Sequence, residues 1–438
     1  MNHYDILIIN ATIVTINKNA EIIENGYIAI SKDKIAALGK MSELNKNTIT
    51  LETIDAKGKI ILPGFINTHT HLAMTLFRGI ADDIKLLDWL QKYIFPAERK
   101  YINPQSVSIG VDLALAEMIK SGTTCFNDMY YFEDAVAQRA IKAGFRGIIS
   151  EGIIDEAVAN SKNADEAMQY TKFLIEKYKN NDLIDVAVAS HAPYSCSEQT
   201  LTKSFEIAEE NDTLFHIHLA ETKWELEKFL AEKGMSSVDY LDKLGLLSHR
   251  TIGAHGVWLN EKEIQLLAEK NVAIAHNPEC NMKIASGIAP IPQLIKAGVR
   301  VGLGTDGVAS NNNLNFIQEM RTMAMLHKVN TFDPTTLPAE EIVKIATIKG
   351  AEVLHKDKEI GSLEVGKKAD IIFIDTNYPN ALPFYNIYSL IVYSLNGNEI
   401  SDVIINGKFV MKNYSLTTIN QSDVMQKIVE FSSKIRVL

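Results

Sequence analysis

Two histidines spaced two residues apart, His69 and His71, close the run ILPGFINTHTH. Side chains alternate faces along a strand, so residues i and i+2 point the same way and two imidazoles converge on one point. His216 and His218 repeat the pattern near the end of TLFHIHLAE, and Glu221 follows just past the strand end, where it can turn over the mouth of a sheet. His255 closes TIGAHG, and Asp306 closes VRVGLGTD. Neutral imidazole nitrogens with one hard carboxylate suit zinc or iron(II) at neutral pH, and an aspartate can either bind a metal or accept a proton. Each residue alone reads as an ordinary polar side chain at a strand end. Their recurrence at the ends of separate strands describes a metal site.

A site of this kind needs a scaffold that aims several strand ends at one place. Between Pro63 and Leu354 the text alternates short apolar runs with stretches of helical period, the signature of buried parallel strands and crossover helices. Eight such runs end near residues 71, 128, 150, 192, 221, 256, 277 and 306. Between the first two lies PQSVSIGVDLALAEMIKSG, a helix in which Gly122 fits the C′ position. This count and length predict a (β/α)₈ barrel, whose chemistry sits at the C-terminal ends of the strands. The two chain ends read differently, as β-branched runs punctuated by Asn25-Gly26 and Asn406-Gly407 turns. The expectation is a small antiparallel β-sandwich built from residues 1–60 and 356–438, flanking a barrel over 61–355. The closing stretch QSDVMQKIVEFSSKIRVL reads as an amphipathic helix packed on the barrel.

Composition narrows the class. The 438 residues are 46% hydrophobic and 22% charged, enough for a large core and unlike a disordered chain. Lys and Arg number 44 against 54 Asp and Glu, a net charge of −10 that gives no electrostatic footprint for nucleic acid or an anionic membrane. Cys125, Cys196 and Cys280 lack CxxC spacing and fit a reducing compartment as bystander thiols. The opening MNHYDILIINATIV has no basic leader region, and no apolar run approaches the roughly 18 residues of a membrane span. A cytoplasmic location is expected. The oligomeric state stays open, with a homo-oligomer compatible.

PGFINTHTH (63–71), HIHLAE (216–221), AHG (254–256) and GTDG (304–307) together resemble the metal-binding signature of the amidohydrolase superfamily. The resemblance implies one divalent ion, Zn²⁺ with Fe²⁺ or Mn²⁺ as alternatives, held by His69, His71, His218 and Asp306. His216 would lie one layer deeper as a core histidine. Members with two metals carry a bridging lysine at the fourth strand end, where this chain reads DVAVASHAPYS. His191 stands there instead; the resemblance assigns it to substrate, while its residue context also allows a packed histidine capped by Ser195 or Ser197. Residues 69–98 and 304–321 are similar to the subgroup that deaminates 5′-methylthioadenosine, S-adenosylhomocysteine or adenosine. That implies Glu98 on the ribose hydroxyls, Asp306 as proton acceptor, Glu221 as proton donor to N1 of adenine and His255 as stabiliser of the attacking oxygen. Trp89 is either a wall for the purine or a core residue. One departure stands out: members that take the homocysteine form can place an arginine after the third strand, whereas here Glu151 occupies that place and Arg146 falls inside the strand.

Three rival readings are open to test. GLGTDG (302–307) formally matches GxGxxG, but a dinucleotide fold wants that motif in its first βαβ unit. A catalytically dead scaffold would have no need of the complete ligand set. A sister amidohydrolase acting on guanine, cytosine or a chlorotriazine shares the metal core and differs only in the Glu98 and GTDGVASNNN segments.

Overall fold

A computed structural model describes residues 3–435. Met1 and Asn2 of the opening stretch and the last three residues of the closing one lie outside the described residues, and Leu87 is described by its backbone alone.

The barrel begins with Phe65–His71, every residue of which is buried. Around it run Thr123–Asp128, the third strand in two pieces (Arg146–Ile149 and Gly152–Ile153) and the fourth in two (Ile184–Val186 and Val188–Ser190). Phe215–Leu219, Thr251–His255 and Ala273–His276 follow, and the eighth strand is again split, Arg300–Leu303 and Asp306–Gly307. All neighbouring pairs are parallel, and the last piece closes the ring by pairing Asp306 with Thr70 and Gly307 with His71. Crossover helices between these strands start and stop on recognisable caps. Helix Pro104–Lys120 has proline at its first position and Asn103 accepting from the Gln105 and Ser106 N–H groups, and it ends before Gly122, whose φ of +86° only glycine adopts freely. The barrel is therefore the predicted one, with strands three, four and eight broken where the text read them as continuous.

The glycines of GLGTDG are packing residues. A Cβ on Gly302 would sit 2.5 Å from the Thr68 side chain, and one on Gly304 would meet Asn277 Oδ1 at 2.4 Å and the His69 carbonyl at 2.9 Å. They let the eighth strand lie against the first, and no phosphate cradle is needed to explain them.

Strands from both chain ends join one nine-stranded sheet. Lys59–Pro63 pairs antiparallel with Ile371–Asp375, which welds the N-terminal strands to the C-terminal ones. The expected pairing was antiparallel throughout; the sheet is mixed, because His3–Val14 runs parallel to both Ile49–Asp55 and Lys59–Pro63. Its own core includes Ile8, Ile13, Ile28, Ile61, Ile371 and Phe373. Helix Gln421–Ser432 packs on helix Pro104–Lys120, with Phe431 edge-on to Tyr101 at 6.3 Å. Among the described residues no helix is long and apolar enough to cross a membrane.

Candidate active site

His69, His71, His218 and Asp306 meet at the C-terminal mouth of the barrel, each offering one ligand atom within 4.8 Å of all the others. Strand parity aims the two first-strand histidines together, and closure of the ring brings Asp306 beside them. Asp306 Oδ1 lies 3.3 Å from His69 Nε2 and 3.1 Å from His71 Nε2. The distal nitrogens are occupied: His71 Nδ1 donates to the Met129 carbonyl, and His218 Nδ1 donates to the His191 carbonyl at 2.6 Å. The two Nε2 atoms face each other across 3.3 Å, so either a proton or a metal cation has to lie between their lone pairs. His69 Nε2 is buried with no hydrogen-bond partner. A divalent metal ion fits this donor set.

Burial holds His69 down to about 4 and His218 well below its ordinary value, so both imidazoles are neutral, as metal ligation requires. Burial also works against a charged His71, yet Asp306 beside it lifts that group to about 9. Burial would raise the Asp306 carboxyl, but His69 and His71 hold it well below its usual range.

His216 sits beneath this cluster, its Nε2 3.1 Å from His69 Nδ1, and so supports the orientation of His69 from the core. Asp306 Oδ2 points away from the histidines and accepts from Cys280 Sγ at 2.7 Å and Ser310 Oγ at 3.0 Å. Cys280 is thus no bystander. Spacing could not reveal this, because Cys280 lies on the short helix Pro278–Lys283 after the seventh strand.

Glu221 and His255 stand over the cluster, with His255 Nε2 and Glu221 Oε2 3.9 Å apart. Asn281 Oδ1 accepts from His255 Nδ1 at 2.8 Å, leaving Nε2 to face the cleft. Burial raises the Glu221 carboxyl above its ordinary value. His255 (φ +79°) and Asp306 (φ +59°) both adopt left-handed backbone, strain of the sort stored at functional sites, about 1–3 kcal/mol each.

A cleft enclosing about 740 Å³, open mouth included, rises from His71, His218, Glu221, His255 and Asp306. Its wall is the helical run Leu86–Tyr101, which passes through a π-turn at Trp89–Ile94 and presents Trp89, Ile94, Phe95 and Glu98. Trp89 lines the cleft and also belongs to the buried core. Glu98 is buried and accepts from the Tyr130 hydroxyl at 2.6 Å. His191 lines the same cleft and pairs with Ser195 Oγ at 2.7 Å, one of the two capping partners expected for it. Arg146 lies at the opposite end of the barrel, bound to Asp370 at 2.7 Å.

One residue the sequence reading passed over is Glu225. It is wholly buried, and its two oxygens accept the Ala220 and Glu221 N–H groups, each at 3.0 Å, across a turn in which Ala220 has φ +50°. The text Thr222-x-x-Glu225 is a capping-box pattern and could have revealed it.

A profile of the amidohydrolase family matches residues 60–410. The 5-methylthioadenosine/S-adenosylhomocysteine deaminase of Thermodesulfovibrio yellowstonii is 44% identical over 426 residues, 97% of each chain. The 5′-deoxyadenosine deaminase of Methanothermobacter thermautotrophicus is 42% identical over 92% of this chain and 93% of its own. Among solved structures, an adenosine deaminase from Xanthomonas campestris with bound zinc matches at a TM-score of 0.98 and 35% identity over 100% of both chains. Since the profile covers the barrel and its ligand strands, and these relatives align over nearly the whole length, the chain belongs to the amidohydrolase family.

Proposed function

We propose that the chain removes the 6-amino group of an adenosine-type nucleoside by hydrolysis, releasing ammonia and the inosine-type product. The substrate class is 5′-methylthioadenosine, S-adenosylhomocysteine, 5′-deoxyadenosine or adenosine. The observation that carries this reading is that Glu98, a carboxylate suited to a vicinal diol, shares one cleft with Glu221 and the His/Asp cluster. The names of relatives at 42–44% identity support it.

His69, His71, His218 and Asp306 would hold a divalent ion, which we take to be Zn²⁺ with Fe²⁺ or Mn²⁺ served by the same donors, and which would supply an acidified water as nucleophile. Asp306, its carboxylate steadied by Cys280 and Ser310, would accept one proton of that water and pass it to the 6-amino nitrogen as the C6–N bond breaks and ammonia leaves, while the hydroxyl proton of the tetrahedral centre returns to Glu221. Glu221, whose carboxyl burial raises, protonates N1 of the ring so that charge does not build there as C6 is attacked. His255 Nε2 holds the attacking oxygen and the tetrahedral centre. His191 meets the substrate beside the cluster, and Glu98 takes the ribose hydroxyls. The same reading assigns the catalytic barrel to residues 61–355 and the composite sheet to 1–60 and 356–438. It also puts the protein in the cytoplasm, where its three free thiols stay reduced.

Ammonia release measured across adenosine, 5′-methylthioadenosine, S-adenosylhomocysteine, guanine and cytosine tests the proposal. Turnover confined to the nucleosides is expected, and preference for a free base would overturn it. Glu221→Gln should keep its metal by elemental analysis while kcat falls by roughly 10² to 10⁴, the usual worth of a positioned acid.

A further inference from the structure

His255 is held by two buried carboxamides that ask opposite things of the same ring nitrogen. Asn281 Oδ1 stands 2.8 Å from Nδ1 and accepts a hydrogen, which favours the ring that carries its proton there. Asn277 Nδ2 stands 3.4 Å from the same atom and donates one, which favours the ring whose Nδ1 is a bare lone pair. The shorter contact is the stronger, and Asn277 Nδ2 has a second acceptor in the Ala275 carbonyl, also at 3.4 Å. The proton therefore stays on Nδ1, and Nε2 reaches the cleft as a lone pair. Glu221 Oε2, at 3.9 Å, lies beyond hydrogen-bond reach and does not occupy it.

The short helix after the seventh strand sets this up. Asn277 is the residue before helix Pro278–Lys283, and Asn281 follows one turn later, so both carboxamides can face one ring. Their register is tied by backbone: the Asn281 N–H donates to the Asn277 carbonyl at 3.0 Å, and the Asn281 carbonyl accepts from the Ser286 N–H at 2.9 Å. Both residues are buried, and neither lines the cleft.

We infer that Asn281 is a positioning residue that fixes His255 as a hydrogen-bond acceptor toward the attacking water. The inference rests on the function proposed above, in which Asp306 takes one hydrogen of that water. With His255 Nε2 accepting the other, both hydrogens are held and an electron pair of the oxygen is left to face C6. In the opposite tautomer Nε2 carries a hydrogen, aims it at the same oxygen and engages the electron pair that should attack. Asn281 does this from behind His255 and outside the cleft, so its removal should act on kcat and spare KM.

Nitrogen NMR of the zinc-loaded protein, labelled at its histidines, reads the tautomer, because a protonated and a bare ring nitrogen resonate far apart. The signals of His255 are those lost in His255→Gln. The wild type should show Nδ1 protonated and Nε2 bare. In Asn281→Leu only Asn277 remains beside Nδ1, so the proton should move to Nε2. For the nucleoside turned over fastest, kcat should then fall about 10²-fold or more, with KM within about two-fold. Asn281→Asp restores an oxygen acceptor and should return the proton to Nδ1 and recover most of kcat. Melting temperature and zinc content verify that each variant is folded and loaded. A wild-type ring protonated on Nε2 overturns the inference without recourse to any Asn281 variant. A leucine variant with wild-type kcat, or an aspartate variant as slow as the leucine one, also overturns it while leaving deamination standing. A wild-type protein that releases ammonia from no nucleoside overturns the proposed function, and the role of Asn281 in it, even with the proton found on Nδ1.

Discussion

Glu98 is a carboxyl that burial pushes up to about 7, against the hydrogen bond from Tyr130 that favours its charged form. Its proposed work, accepting from two ribose hydroxyls, requires the carboxylate. Below about pH 7 the group takes up a proton, one oxygen becomes a donor, and an acceptor is lost. KM for the nucleoside should therefore rise about ten-fold between roughly pH 8 and pH 6, because each unit below the pKa depletes the charged form ten-fold. Initial rates over a pH series measure this, and Glu98→Gln should show a raised KM with the slope removed. At the same scale, Cys280 and Ser310 illustrate what spacing hides. Parity along a strand predicts where His69 and His71 point, but nothing in the text ties Cys280 to Asp306. That contact exists because the helix after the seventh strand folds back over the eighth.

The turn after the fifth strand works as an element. Ala220 takes a left-handed conformation, Thr222 Oγ1 caps helix Lys223–Lys233, and Glu225 reaches back from that helix to the Ala220 and Glu221 N–H groups. One buried carboxylate thereby holds the backbone that carries Glu221. Glu225→Ala would leave two buried donors unpaired, which should cost about 1–3 kcal/mol for each in a urea titration. It should also lower kcat by roughly ten-fold or more, as the acid loses its register with the ring, with metal content unchanged. The wall Leu86–Tyr101 is a second such element. Its π-turn changes the angular step between residues, and the resulting face puts Trp89, Ile94, Phe95 and Glu98 together in the cleft. A regular 3.6-residue period read from the text does not foresee that face.

At the scale of the whole molecule, the barrel and the mixed sheet are joined by a buried ion pair. Arg146, at the start of the third barrel strand, binds Asp370 through Nε at 2.7 Å, and Asp370 also accepts from the Asn406 N–H at 2.7 Å in the turn after the neighbouring strand of the sheet. Burial opposes the charge of Arg146, and the Asp370 carboxylate more than restores it. Arg146→Ala strands a buried carboxylate, and unfolding by denaturant should show a loss of about 3–5 kcal/mol. The nucleoside KM should stay unchanged, because the pair sits at the end of the barrel away from the cleft. A residue considered for substrate contact is thus a structural bolt.

The amino-acid sequence by itself determined the barrel, the union of both chain ends in one sheet, and the residues that gather at the strand ends. Those features follow from local periodicity and from side-chain parity, which act over a few residues and can be read in order. Only the tertiary structure decided the parallel pairing within the sheet, the breaks in strands three, four and eight, the donors behind Asp306, the grip of Glu225 and the acceptor behind His255. Each of these depends on contacts between segments far apart in the chain. The bonds from Cys280 to Asp306 and from His255 to Asn281 are set by how helices and loops pack over the barrel mouth, and packing of that kind leaves no period in the text.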